Sequence, residues 1–235
     1  MHPNIQHLYE IANKPTRRVI GLMSGTSLDG LDIALCTITG AGNTTKVSLD
    51  EFITIPYASD LKEKLLTVFS QKTVSLEQLC VLNPWLALQH ANMVNEALKQ
   101  WGMQSTEIDL IASHGQTIYH APKSLHPEDV FGPATLQIGD GDHIAVATGI
   151  ITVSDFRQKH IAAGGEGAPL SLYGDYLLCA HATENRILLN IGGIANFTLL
   201  NAGSSLAQVF SSDTGPGNTL MDAYTRKYFE DWLMI

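Results

Sequence analysis

No stretch of this chain reaches the ~18 consecutive apolar residues that a membrane-crossing helix needs. Its first 18 residues hold Asn, His, Lys and Pro and lack the apolar core of a secretory signal. Cysteine is scarce: Cys36, Cys80 and Cys179 are odd in number and far apart, with no Cys-x-x-Cys pair. That excludes a zinc knuckle and a disulfide framework and makes a reducing cytoplasm the expected compartment. Positive charge is also short, with 14 Lys and Arg against 23 Asp and Glu and a net charge of −9. Neither nucleic acid nor a membrane surface is expected as a partner, because both need a basic footprint. Charged residues are 16% of the chain and hydrophobic ones 45%, which excludes a wholly disordered chain and allows one or two globular domains.

Glycine, by contrast, is plentiful, with 20 residues against an average of roughly 7%. The first strong element, Arg18 to Ile38, is apolar on both sides of a Gly/Ser/Thr/Asp centre and predicts strand, glycine turn, strand. A third strand is expected over Val47–Ile55 and a short helix over Leu61–Phe69. Ser75 to Trp101 has a helical period, but Pro84 inside it predicts two helices or a kink at Asn83, with Gly102 as the stop. Further strands are expected at Asp109–Ser113, Thr135–Ile138 and Ile150–Ser154, the last ending at Asp155-Phe-Arg157, with a helix at His143–Thr148. A small-residue loop follows at Ala162–Pro169, then a helix over Leu170–His181. Strands Arg186–Asn190 and Asn196–Leu200 are joined through Gly192-Gly193, and a helix is expected from Thr219 to about Trp232. Strands with helical crossovers point to an α/β protein, divided into residues 1–150 and 151–235.

Four glycine-centred turns each follow a short apolar strand. Backbone N–H groups in such turns can converge on an anion. Gly-x-x-x-x-Gly-Lys-Ser/Thr is absent, as is a Gly-x-Gly-x-x-Gly opening a helix, so neither a P-loop nor a dinucleotide fingerprint is present. A β-hairpin phosphate cradle, as in the sugar kinase, actin and heat-shock ATPase fold, remains. Gly25-Thr26-Ser27-Leu28-Asp29-Gly30 is either an ordinary hairpin turn or such a cradle, with Asp29 or Asp32 able to hold Mg²⁺ through water. Asp213-Thr-Gly-Pro-Gly-Asn218 is either a loop capped by Asn218 or a catalytic turn in which Asp213 accepts a proton beside a helix start. His114, Gln116 and Arg157 follow buried strands and suit sugar hydroxyls and a carboxylate, or else make structural hydrogen bonds.

Six stretches in order resemble the anhydro-N-acetylmuramic acid kinases of bacterial cell-wall recycling. They are Gly21–Asp32, Ser113–Thr117, Thr135–Asp140, Asp155–Arg157 with Gly164–Leu170, Leu189–Asn196 and Asp213–Asn218. The resemblance implies a two-lobed kinase of the actin-like ATPase (ribonuclease H-like) fold. It implies use of ATP and Mg²⁺ on 1,6-anhydro-N-acetylmuramic acid, with water opening the ring and O6 phosphorylated. On this pattern Gly25, Thr26, Ser27, Leu28, Asp29, Gly30, Leu31 and Asp32 form the nucleotide phosphate loop and Asp213 is the general base. His114, Gln116, Thr117 and Arg157 line the sugar cleft. Departures are His160 and Glu166, where the family usually has Asp and Gln, Ser171–Asp175 after Gly-Ala-Pro-Leu, and Pro84. The family runs roughly half as long again, so an incomplete second lobe is expected, leaving Leu220, Met221, Tyr224, Tyr228 and Trp232 as an apolar patch. A sugar-binding pseudokinase fragment is the alternative, an actin-like ATPase acting on proteins is a third option, and a homodimer is left open.

Overall fold

The computed structural model describes residues 2–126 and 130–229. The chain forms two compact units: residues 1–24 with 28–167, and residues 25–27 with 168–235. The boundary falls at Gly167 and not near 150, because the strand Thr152–Val153 and the helix Phe156–Ala162 join elements of the first unit.

The first unit opens with α1 (Pro3–Asn13), which the sequence pattern had not indicated. A meander of β1 (Thr16–Ser24), β2 (Gly30–Thr39) and β3 (Lys46–Pro56) follows, then α2 (Ser59–Leu66) and α3 (Leu76–Gln100). β4 (Leu110–Ala121), β5 (Ala134–Ile138), α4 (Gly141–Thr148), β6 (Thr152–Val153) and α5 (Phe156–Ala162) complete it. The sheet order is β3-β2-β1-β4-β5, with β6 also on β4. β1, β2 and β3 pair antiparallel, whereas β4 runs parallel to both β1 and β6. This is a mixed α/β fold, as the sequence implied. A parallel neighbour needs a long crossover, here supplied by β2, β3, α2 and α3.

Central β1 buries Ile20 and Leu22 at alternate positions, and edge strand β3 exposes most of its length. Against the sheet lies α3, capped by the Ser75 hydroxyl accepting from the Gln78 N–H at 3.3 Å. It presents Leu82, Leu86, Ala87, Val94 and Leu98 to the core. Of the two outcomes expected at Pro84, two separate helices do not form, and α3 is one helix of 25 residues. Proline removes one backbone donor on a helix whose other face is solvated, while the apolar stripe on both sides of it stays packed on the sheet. Asp155-Phe-Arg157 likewise opens a helix in place of ending a strand, because Asp155 adopts φ +66° and turns the chain.

The second unit pairs β7 (Arg186–Ile191), β8 (Ile194–Leu200) and β9 (Phe210–Pro216) antiparallel, with α6 (Leu172–Cys179) and α7 (Asn218–Tyr228). The buried Thr198 hydroxyl donates to Asp175 Oδ2 at 2.7 Å and ties β8 to α6. Leu220, Met221, Tyr224 and Tyr228 of α7 are exposed, as expected, and Trp232 lies outside the described residues. Among the described residues no helix is long and apolar enough to cross a membrane.

Leu86 is fully buried and Leu88, on the far side of α3, is 42% exposed. Leu86→Ala should therefore cost about 2–5 kcal/mol in urea unfolding of the protein, and Leu88→Ala well under half of that. Equal losses at the two positions would contradict this packing.

Candidate functional site

Parallel pairing places the carboxyl ends of β1, β4 and β6 on one edge of the sheet, the edge at which ligands bind in open α/β sheets. Ser24 of β1 stands opposite Gln116 of β4, and Ala112 opposite Val153, so Ser154 and Asp155 follow beside Ser113 and His114. Antiparallel β5 brings Ile138 opposite Gln116, with Gly139 and Asp140 next in the chain. Together they enclose a polar cleft of about 110 Å³, lined by Asn83, His114, Gln137, Asp140, Ser154 and Asp155 among others.

The cleft depends on glycine at two close approaches. Gly115 has φ +71°, and a Cβ there would lie 2.7 Å from the Ile138 carbonyl oxygen. A Cβ on Gly141 would lie 2.6 Å from Ser154 Oγ. At the start of α4 the Asp140 carboxylate accepts from the His143 N–H at 3.0 Å and contacts His143 Nδ1 at 2.8 Å, which holds its pKa below the usual value. The Asn83 side-chain oxygen accepts from the Gly139 N–H at 2.7 Å. Gln137 donates to Thr117 Oγ1 at 3.0 Å and Thr135 Oγ1 at 2.8 Å, and its Oε1 is buried without a partner.

His114 and Arg157, both predicted from sequence, meet directly. Arg157 Nε donates to His114 Nε2 at 2.9 Å, and Nη1 donates to the Gly167 carbonyl at 2.6 Å. His114 Nε2 is thus an acceptor, and Nδ1–H donates to the Gly115 carbonyl at 2.7 Å. Burial, aided by the Arg157 charge, pushes the His114 pKa down to about 4. Gln116 is different: fully buried, its amide accepts from Ser24 Oγ and donates to the Thr117 carbonyl at 3.1 Å, so it faces the interior. Thr117 is half-buried beside Gln137. His160 accepts the Gly167 N–H at Nδ1 over 3.1 Å, and Gly165 leaves room for its ring, since a Cβ there would come within 2.0 Å. Glu166 is exposed.

On the Gly25–Asp32 segment, Leu28 takes a left-handed conformation at φ +55°. Asp29 Oδ1 accepts the Gly30 N–H at 3.1 Å, and Asp32 Oδ1 accepts from the Thr54 hydroxyl at 2.6 Å. Among the described residues no three His, Cys, Asp or Glu side chains converge as a metal site.

In the second unit Asp213 is exposed on β9 opposite Asn196, just where the β8–β9 register shifts. The Gly192-Gly193 turn is stitched to the start of α7. Gly217 and Asn218 donate to the Gly193 and Gly192 carbonyls at 2.9 and 2.8 Å, and Thr219 Oγ1 donates to Gly193 at 2.9 Å. A Cβ on Gly217 would lie 2.3 Å from the Gly192 oxygen. Asn218 does not cap α7. Gly217 holds that position, and the Asn218 amide donates to the Ile191 carbonyl at 3.1 Å. Thr26 lies in this unit, its Oγ1 2.8 Å from where a Gly193 Cβ would be.

Sequence alone assigns no role to Asn83, Asp140, Ser154 or the buried residues Tyr57 and His90. Thr135–Asp140 was part of the resemblance, and Asn83 was treated only as a break point. A histidine on the apolar stripe of α3 was the available signal for His90, because a buried imidazole needs a partner.

These features define an α/β protein with a polar cleft at the carboxyl edge of a mixed sheet. The profile of the anhydro-N-acetylmuramic acid kinases matches residues 17–232, and the chain belongs to that family. It is 57% identical over 229 residues to the anhydro-N-acetylmuramic acid kinase of Pseudoalteromonas atlantica, covering 97% of this chain and 57% of that protein. The enzyme of the same name from Pseudoalteromonas translucida is 57% identical over 98% of this chain and 58% of its own. That from Caldanaerobacter subterraneus is 44% identical over 95% and 56%. The chain thus spans less than three fifths of the length of these relatives. A solved structure of a reductive activator for corrinoid, iron-sulfur protein matches 87% of this chain at 12% identity and a TM-score of 0.41, too weak a likeness to define the fold.

Burial also pushes the His90 pKa down to about 4. Histidines that are neutral when folded but ordinary when unfolded make stability fully present above pH 6.5 and progressively lost as pH falls from 6.5 to 4. The loss should be on the order of 3 kcal/mol for each. Imidazole proton shifts should show His90 and His114 still neutral at about pH 5, and the decline in urea stability should be shallower in His114→Asn. Titration of either ring near its ordinary value would contradict the burial.

Proposed function

We propose that this chain carries the phosphoryl-transfer and sugar-binding parts of an anhydro-N-acetylmuramic acid kinase. The observation that supports this most is the 57% identity to enzymes of that name over nearly all of this chain. The sheet order β3-β2-β1-β4 with β6 on β4 fits the ribonuclease H-like core of the actin-like ATPases. In that fold a hairpin turn following the first strand takes nucleotide phosphate, which makes Gly25–Asp32 the site for ATP. Asp29 and Asp32 do not form a protein cage, and they fit an Mg²⁺ ion held mainly by phosphate and water. When bound, the ion would neutralise charge on the transferring phosphoryl group. Three widely spaced cysteines, none paired among the described residues, fit a cytoplasmic enzyme.

The sugar would occupy the polar cleft beside His114 and Arg157, with Thr117 at its wall and Gln116 supporting it from beneath. Arg157 presents a cation, suited to the lactyl carboxylate of a muramic acid. Asp213, exposed beside the Gly192–Gly193 turn, is the base. It takes a proton from the water that attacks the anomeric carbon. The C1–O6 bond of the anhydro ring breaks, and O6 takes the γ-phosphoryl group as ADP leaves.

Incubation of the protein with ATP, Mg²⁺ and the anhydro-sugar should give a product heavier than the sugar by one water and one phosphoryl group. Asp213→Asn should lower turnover by at least about 100-fold while leaving sugar affinity, measured by calorimetry, within a few-fold. Retained turnover would remove Asp213 as base. Sugar binding with neither nucleotide binding nor turnover would instead mark a sugar-binding module.

A further inference from the structure

Tyr57 lies one residue beyond β3 and is 4% exposed. Its backbone N–H donates to the Asp29 carbonyl at 2.9 Å, and its hydroxyl bonds Ser24 Oγ at 2.7 Å. Ser24 and Asp29 are the residues on either side of Gly25–Leu28. One residue therefore grips both ends of the turn.

The hydrogen bonds have a fixed direction. The Gln116 amide nitrogen donates to the Thr117 carbonyl, so its Oε1 is the acceptor for the Ser24 hydroxyl. Ser24 has one proton and gives it to Gln116, so Ser24 Oγ accepts from Tyr57. The Tyr57 oxygen in turn accepts from His90 Nε2–H at 2.7 Å. His90 is fully buried, and its Nδ1, left as a bare acceptor, has no partner. Burial keeps the ring neutral and holds the Tyr57 hydroxyl protonated by raising its pKa. The Tyr57 and His90 rings lie 12° from parallel, with centroids 6.0 Å apart.

We propose that Tyr57, oriented by His90, is a positioning residue that fixes the mouth of the Gly25–Leu28 turn and thereby its presentation to a nucleotide phosphate. The link to phosphate rests on the kinase reading, whereas the fixing of the turn does not. Tyr57 touches neither substrate in this scheme. It acts through Ser24 and Asp29.

Tyr57→Phe, His90→Leu and His90→Gln, made in the full chain, separate the possibilities. Phe removes the link to Ser24, Leu removes the donor to Tyr57, and Gln offers an amide donor in place of Nε2–H. Loss of one buried hydrogen bond should speed amide hydrogen exchange at residues 24–30 about tenfold in Tyr57→Phe and His90→Leu, and weaken a non-hydrolysable ATP analogue by about the same factor. Affinity for the anhydro-sugar should stay within about twofold, since His114 and Arg157 are held by each other and by Gly115 and Gly167, and the Ser24–Gln116 bond is left in place. His90→Gln should restore both values towards wild type. Unchanged exchange at 24–30, or a uniform rise across β1 to β4, would overturn the proposal by showing no role or a merely structural one. If the wild-type protein binds no ATP analogue, the kinase reading fails, and exchange at 24–30 still decides whether Tyr57 fixes the turn.

Discussion

The parallel pairing of β1 with β4 is the constraint on which the first unit depends. Ile20 opposite Ile111, both fully buried, lies in the middle of that pairing, and the ladder runs on to Ser24 opposite Gln116. Because the strands run the same way, their carboxyl ends share an edge, and every polar group of the cleft is placed relative to that edge. A register slip of one residue would turn each side chain to the other face. The regular alternation is itself broken at the cleft: Gly115 at φ +71° lets His114 line it while Gln116 turns into the core.

Local pattern made the meander, the helices around the core and the glycine turns legible in the sequence. Each has a period or a turn residue that speaks for itself: alternation in β1, a helical stripe in α3, glycine after β1 and between β7 and β8. The misplaced features were decided by tertiary packing. Pro84 argues for two helices or a kink by local rules, and the stripe from Leu82 to Leu98 excludes the first by keeping α3 one helix. Asp155 gave no sign of a left-handed turn, because such a conformation in a residue other than glycine is imposed by its surroundings. The glycine turns and His114 with Arg157 were visible as candidates, but their partners were not. His114 and Arg157 are 43 residues apart, and Tyr57 and His90 are 33 apart. No spacing rule reaches that far, so only the folded sheet reveals which donors meet which acceptors.

His160 departs from the residue the resemblance implies, and its own contacts say what it does in this chain. The resemblance places an aspartate there, and a carboxylate and a neutral imidazole nitrogen can both accept a backbone N–H. In this chain His160 Nδ1 takes the Gly167 N–H, while Arg157 takes the carbonyl of the same residue. Gly167 is thus held from both sides, and the histidine supplies the acceptor without setting a negative charge beside Arg157. Gly165 is part of the same solution, since any Cβ there would strike the ring.

A chain of buried polar groups is not the cheapest way to fill a core. Apolar residues of equal volume would pack Ser24, Tyr57, His90 and Gln116 without desolvating any donor or acceptor, and such replacements are often neutral or stabilising. Apolar contact has no direction, however, and cannot fix the rotation of Ser24 at the end of a strand. A sequence of donors ending on the oriented Gln116 amide can. The unpaired His90 Nδ1 marks the cost of this arrangement, on the order of 1–3 kcal/mol for a buried acceptor left without a donor. An aliphatic side chain could not donate at all, and a protonated imidazole would bury a charge. A neutral ring with its bare nitrogen near Gly139, where a Cβ would come within 3.6 Å, satisfies the donor requirement at the smaller penalty.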